Sequence, residues 1–352
     1  MMTSMQRVQT TLAGQEPDRV PLFLLTTLHG AKELGLSIRD YFSRAEHVVE
    51  GQMRLLNKYR SDCVTPFHYA SLELEAFGGN THFIEDGPPN AAAPVMAQSE
   101  DIDHLLPPEI SQAAGLQRVL EVTRELKARV GDTVPIIGSV ISPFSLPIMQ
   151  MGFGPYIELI HEQPQRFERL MAVNQAFCVE WANAQLAAGA TAIAYADPMS
   201  STTLIPRSLY LQTGHRIAME TLRQIHGPTA IHLASGRGLE IAHDLMATGA
   251  TAIGVSALED LAEWKAATHG QVTVIGNLNG VTMRHWTAAQ AQAEVKQAIV
   301  KAGRGGGFIL ADNHGEIPWQ VPDEVLFALR EAVDCWGNYP LDWMESRPCP
   351  EN

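Results

Sequence analysis

Two histidines sit where side chains can do chemistry. His232 follows the apolar run Thr229-Ala230-Ile231, and His314 follows Phe308-Ile309-Leu310-Ala311 with Asp312 and Asn313 between. One histidine in such a place is ordinarily a loop residue that satisfies a hydrogen bond. Two that converge, with a carboxylate beside one of them, make a catalytic or ligand-holding pair. Asp197 is a second carboxylate: it ends the run Ala192 to Ala196 and precedes Pro198. Its plain role is to cap a turn and its chemical role is to assist proton transfer. His68, Ser256, Asn277 and Asn279 follow other β-rich runs and are expected to hydrogen-bond a substrate, although both asparagines are also turn formers. Histidines 82, 104, 161, 215, 226, 269 and 285 fall in helices or peripheral loops and read as structural or surface residues.

Short β-rich runs alternate with longer amphipathic stretches along the chain, which is the pattern of βα units around a parallel sheet. Strands are expected at 20–25, 62–66, 134–140, 192–196, 229–233, 252–255, 272–275 and 307–310. Each is followed by at least one helical stretch. A short helix at 4–13 precedes them, and an irregular stretch at about 73–104 reads as a β excursion after strand two. The expectation is a single (β/α)8 TIM-barrel domain over 1–352. Gly189-Ala190-Thr191-Ala192-Ile193 and Gly249-Ala250-Thr251-Ala252-Ile253 form a near-repeat in which glycine ends a helix and small residues lead into a buried strand. No GxGxxG opens a helix, and the glycines at 303–307 precede a strand, so they read as a loop and not as a nucleotide cradle. In a barrel of this kind the active site lies at the C-terminal ends of the strands, where all the polar residues named above fall.

Bulk properties narrow the classes. The 352 residues are 45% hydrophobic and 18% charged, enough for a sizeable core. The net charge of −14 argues against a nucleic-acid or anionic-membrane surface. Cysteines 63, 178, 335 and 349 form no CxxC pair and suggest no disulfide framework. The N-terminus lacks the apolar core of a signal peptide, and no apolar run reaches the length of a membrane span. A cytoplasmic monomer or homodimer is expected.

Several motifs occur in order: Met5-Gln6-Arg7-Val8, the turn around Pro17-Asp18-Arg19-Val20-Pro21, Gly35 to Tyr41, Phe77-Gly78-Gly79, Glu85-Asp86-Gly87-Pro88-Pro89, Ser142-Pro143-Phe144-Ser145, Gly276-Asn277-Leu278 and Gly307 to Leu310. Together they resemble the uroporphyrinogen decarboxylase superfamily, most closely its corrinoid-dependent methyltransferase branch. Decarboxylases of that family carry an arginine-rich loop near the N-terminus for propionate groups. Here the exit of strand one reads Thr26-Thr27-Leu28-His29-Gly30, without arginine. Thiol-acting methyltransferases of the family bind zinc through His-x-Cys after strand five and a cysteine after strand eight. Here those places hold His232-Leu233-Ala234 and Asp312-Asn313-His314.

The resemblance implies methyl transfer, and the lost cysteines imply a harder, more Lewis-acidic zinc than a thiolate set gives. Its expected ligands are His232, His314 and Asp312, with Asp197 and His68 as alternatives. The implied reaction moves a methyl group between a small methylated substrate, in the first place a methoxylated one, and a separate corrinoid protein, as an O-demethylase does. No corrinoid-binding DxHxxG occurs in the chain. The alternatives are a metal-free pocket in which the histidines act as acids or hydrogen-bond donors, a cofactor-free decarboxylase of a small acid, and a non-catalytic ligand-binding barrel.

Overall fold

The computed structural model describes residues 2–313 and 315–345. Its centre is a parallel seven-stranded sheet in the order β1-β9-β8-β7-β6-β5-β4. The strands are β1 (Leu22–Phe23), β4 (Ile137–Ile141), β5 (Ala192–Ala196), β6 (Thr229–His232), β7 (Ala252–Gly254), β8 (Thr273–Leu278) and β9 (Phe308–Asp312). β2 (Thr81–His82) and β3 (Asn90–Ala91) pair antiparallel in the excursion.

The expected second strand is present only as a narrow bridge. Asp62 N–H donates to Leu22 O at 2.7 Å, and Val64 exchanges hydrogen bonds with Pro135 O and Ile137 N–H at 3.0 and 2.9 Å. This segment lies between β1 and β4 and closes the barrel. Its pairing is short because a side chain takes over part of the ladder. The Asp62 carboxylate accepts from Leu22 N–H at 2.8 Å, and it also binds Arg7 and Arg19 at 2.7 Å each. On the far side of the gap, Glu73 plays the matching part. Its Oε1 accepts from Ile141 N–H at 2.9 Å, the edge that a longer second strand would have covered. The excursion therefore opens with a helix, Ser71–Ala76, and not with irregular chain, because Glu73 must reach back to β4.

The near-repeat behaves as one device used twice. Gly189 and Gly249 have φ of 117° and 89°, which a residue with a side chain rarely adopts. Thr191 N–H then donates to Ile136 O and Thr251 N–H to Thr229 O, at 2.7 and 2.9 Å. Each threonine locks the start of its strand to the preceding one. The glycines at 305–307 all have positive φ, and Gly306 lies so close to Gln15 that a Cβ would meet its carbonyl at 2.3 Å. That loop is packed against the N-terminal segment.

β8 and β9 run further than expected and include Asn277 and Asp312. The stretch between β1 and the 62–64 segment holds two abutting helices, Ile38–Ser43 and Ala45–Tyr59, broken where Arg44 turns extended at φ −136°. Among the described residues, no helix is long and apolar enough to cross a membrane.

Candidate active site

A cavity of about 380 Å³ lies at the C-terminal ends of the strands. The pleat decides what faces it. Ser139 and Ile141 of β4, Ala194 and Ala196 of β5, and His232 of β6 line it, all on one parity of their strands. Most of the wall is aliphatic or aromatic. The polar part comprises Thr27, Thr65, His68, Tyr69, Ser139, Ser145, His232, Asp312 and Glu316.

His232 stands level with Ala196 on one side and Gly254 on the other. Its ring fits because two glycines, Gly254 and Gly315, leave space around it. A Cβ on Gly254 would lie 2.8 Å from its Cδ2, and one on Gly315 would lie 3.5 Å from its Cε1. Its Nδ1 accepts from Ala234 N–H at 3.0 Å. Ala234 has φ 50°, a left-handed conformation uncommon for alanine, which directs its N–H back to the ring. An Nδ1 that accepts is unprotonated, so the ring is neutral and carries its proton on Nε2.

His68 lines the same cavity, and burial pushes its pKa down to about 4, leaving it neutral near pH 7. Glu316 was not anticipated from sequence. It hydrogen-bonds Thr27 through Oε2 and accepts from Leu28 N–H through Oε1 at 3.0 Å. Burial raises its pKa to about 8, and the nearby Asp312 charge adds to the shift. The sequence carried one signal for it: an acid two residues past His314, in a turn leading to Pro318. His314 itself lies outside the described residues.

Four expected site residues do not line the cavity. Asp197 has the opposite parity to Ala194 and Ala196 and turns away from the lumen. Its carboxylate is fully buried and accepts from Ser142, Ser145 and Ser200 hydroxyls at 2.5, 2.7 and 2.6 Å. Burial raises its pKa, while the three hydroxyls pull it down. Ser145 lines the cavity, and Asp197 touches that wall only through it. Asn277 donates to Ser256 O and Glu259 O, both at 2.9 Å. Ser256 Oγ donates to Ser235 O at 2.9 Å. Asn279 caps the helix Gly280–Met283, accepting from Thr282 N–H at 3.2 Å. These hydrogen bonds tie neighbouring loops together at the strand ends.

The donor set was tested against zinc, which needs three or four ligands converging on one point. Among the described residues, no three His, Cys, Asp or Glu side chains converge in that way. His232 spends its Nδ1 lone pair on a backbone N–H, which leaves a proton on Nε2 where a metal would bind. Ala234 offers no thiolate. The third expected ligand, His314, lies outside the described residues, and no step of the proposed reaction is routed through a metal.

Comparison with known proteins places the chain. It is 25% identical over 344 residues to uroporphyrinogen decarboxylase of Idiomarina loihiensis, covering 93% of this chain and 94% of that protein. It is 26% identical over 231 residues to the methylcobamide:CoM methyltransferase MtaA of Methanosarcina barkeri, covering 65% of this chain and 66% of that protein. A methyltransferase from Methanosarcina mazei shares the fold, with a TM-score of 0.81 at 20% identity, covering 95% of this chain and 99% of that one. The family model described as uroporphyrinogen decarboxylase (URO-D) matches residues 3–336, so this barrel belongs to the URO-D family.

Proposed function

We propose that this barrel is a methyltransferase that moves a methyl group between a small methoxylated compound and the corrinoid of a separate protein. One observation carries the reading. The first strand exit, where a tetrapyrrole polycarboxylate would need cations, instead clamps an acid: Thr27 and Leu28 both bind Glu316. The cavity size supports it. A cavity of about 150 Å³ holds a benzene ring, so about 380 Å³ suits one substituted ring and not four linked ones. Similarity to the Methanosarcina methyltransferase over 231 residues supports methyl transfer, while the decarboxylase relatives match more of the chain, so the strand-one exit and the cavity size carry the choice.

The chain's own residues bind and orient the donor. The apolar wall takes the ring or alkyl part, and the polar wall faces the ether oxygen. His232, held by Ala234 N–H at Nδ1, lines the polar side and orients that oxygen. As the carbon–oxygen bond breaks, the electron pair stays on oxygen and needs a hydrogen-bond donor and then a proton. The corrinoid, when its carrier presents it, supplies the nucleophile that takes the methyl group. Exposed apolar side chains follow several strand ends, Leu204 and Leu258 in loops and Phe153 and Val281 at the starts of helices, and a carrier docking at that end would cover them.

The test incubates the protein with 1,2-dimethoxybenzene and reduced corrinoid and follows the phenol by chromatography. Phenol formed in step with corrinoid consumed is the expected result. Carbon dioxide released from uroporphyrinogen or a smaller acid, without corrinoid, would establish a decarboxylase instead.

A further inference from the structure

The charge of the cavity carries a conclusion about the donor. Among the described lining residues there is no arginine or lysine. The ionisable groups present are two carboxyls, Asp312 and Glu316, and two histidines, together with Tyr69. Neither carboxyl offers positive charge in any protonation state. His232 is neutral because its Nδ1 accepts a backbone N–H, and His68 is neutral because burial disfavours its charged form. Two cations of this end of the fold have other partners. Arg39 lies over the Phe83 ring at 4.5 Å, and Lys32 donates to Trp319 O at 3.1 Å. The remaining wall is apolar, with Phe67 and Tyr69 stacked 6.1 Å apart.

An anion entering this space loses its water and meets no arginine or lysine among the described lining residues. Two carboxyls already stand there, so it also meets like charge or hydrogen-bond acceptors. An uncharged ring meets only apolar contact along the wall, and its ether oxygen meets the donors of the polar side. Building on the methyl-transfer reading, we infer that the cavity selects an uncharged, one-ring methyl ether and rejects the same compound carrying a carboxylate, sulfonate or phosphate. Discrimination of this kind comes from what the site withholds, a charge partner, as much as from what it supplies.

Equilibrium binding to the full chain tests this without requiring turnover. Titration calorimetry with the matched pair 1,2-dimethoxybenzene and 3,4-dimethoxybenzoate should show the neutral ether binding and the carboxylate at least roughly a hundredfold weaker. Ile148→Lys places a cation on the wall and should narrow that gap. Comparable or tighter binding of the benzoate overturns the inference, as does failure of the neutral ether to bind at millimolar concentration. An unchanged gap in a folded Ile148→Lys protein also counts against it. The two readings separate cleanly. If the neutral ether binds but no corrinoid-dependent phenol appears, methyl transfer falls and charge selection stands. If the benzoate binds and is demethylated, charge selection falls and methyl transfer stands.

Discussion

His232 owes its orientation to three residues that bring no functional side chain to the site. Gly254 and Gly315 leave room for its ring, and Ala234 gives up an ordinary backbone conformation to donate to Nδ1. The sequence singles out the histidine because it ends a strand; nothing local to it shows that a glycine on the next strand stands opposite. Gly254→Ala tests whether that room matters. The added Cβ, 2.8 Å from Cδ2, must push the ring aside. Overpacking of this kind costs about 1–3 kcal/mol of stability, and a displaced catalytic group loses on the order of a hundredfold in rate. Steady-state phenol formation beside a thermal melt should show a rate loss in a protein that still folds. Full activity would mean that the ring position is not critical.

At the scale of elements, barrel closure rests on a carboxylate. Asp62 is buried and takes hydrogen bonds from Arg7, Arg19, Ser4 and the β1 backbone, standing in for strand pairing that the short 62–64 segment does not make. Removing one partner of a buried ion pair leaves the other charge uncompensated, which costs about 3–5 kcal/mol. Asp62→Asn should lower stability by that amount in denaturant unfolding. A loss below about 1 kcal/mol would mean that Arg7 is held by Asp18 alone, which it already contacts at 2.7 Å. The same scale explains why Asp197 misleads. Its place at a strand end is legible in the run Ala192 to Ala196, but one step of pleat separates the lumen from the helix layer. That step puts Ala196 in the cavity and Asp197 among serine hydroxyls.

For the molecule as a whole, two buried groups give opposing pH dependences. His29 is 1% exposed, neither ring nitrogen has a hydrogen-bond partner among the described residues, and burial lowers its pKa from 6.5 to about 3. Its folded value lies below its unfolded one, so proton linkage costs nothing above pH 6.5 and destabilises the fold as pH falls toward 3. Glu73 is the reverse case, raised from 4.5 to about 8 by burial. Folding prefers its neutral form, so stability declines as pH rises from 4.5 toward 8. His29→Leu should abolish the acid-side loss. At pH 5 the gain from proton linkage alone is about 2 kcal/mol, and removing unpartnered nitrogens adds about 1–3 kcal/mol at every pH. Melts of both proteins at pH 5 and pH 7 check this. A variant whose advantage is no larger at pH 5 would show that His29 is not the group that titrates.

Local pattern determined a good deal of this protein. Alternating β-rich and amphipathic runs mark the barrel, and 192–196 is legible to the residue because five apolar residues lie between a glycine-ended helix and a proline. The repeated Gly-Ala-Thr-Ala-Ile reports its own function, since a left-handed glycine and a threonine that reaches back are short-range events. The motif order is likewise enough to indicate the URO-D family. Tertiary structure alone decided which polar strand-end residues share the cavity. Glu316 enters because a loop after β9 folds back onto the exit of β1, almost three hundred residues away in the chain. Asn277 and Ser256 leave it because neighbouring loop carbonyls lie within reach. A strand's periodicity shows that its residues alternate, but which set faces inward is settled only when the sheet closes and the helices pack around it.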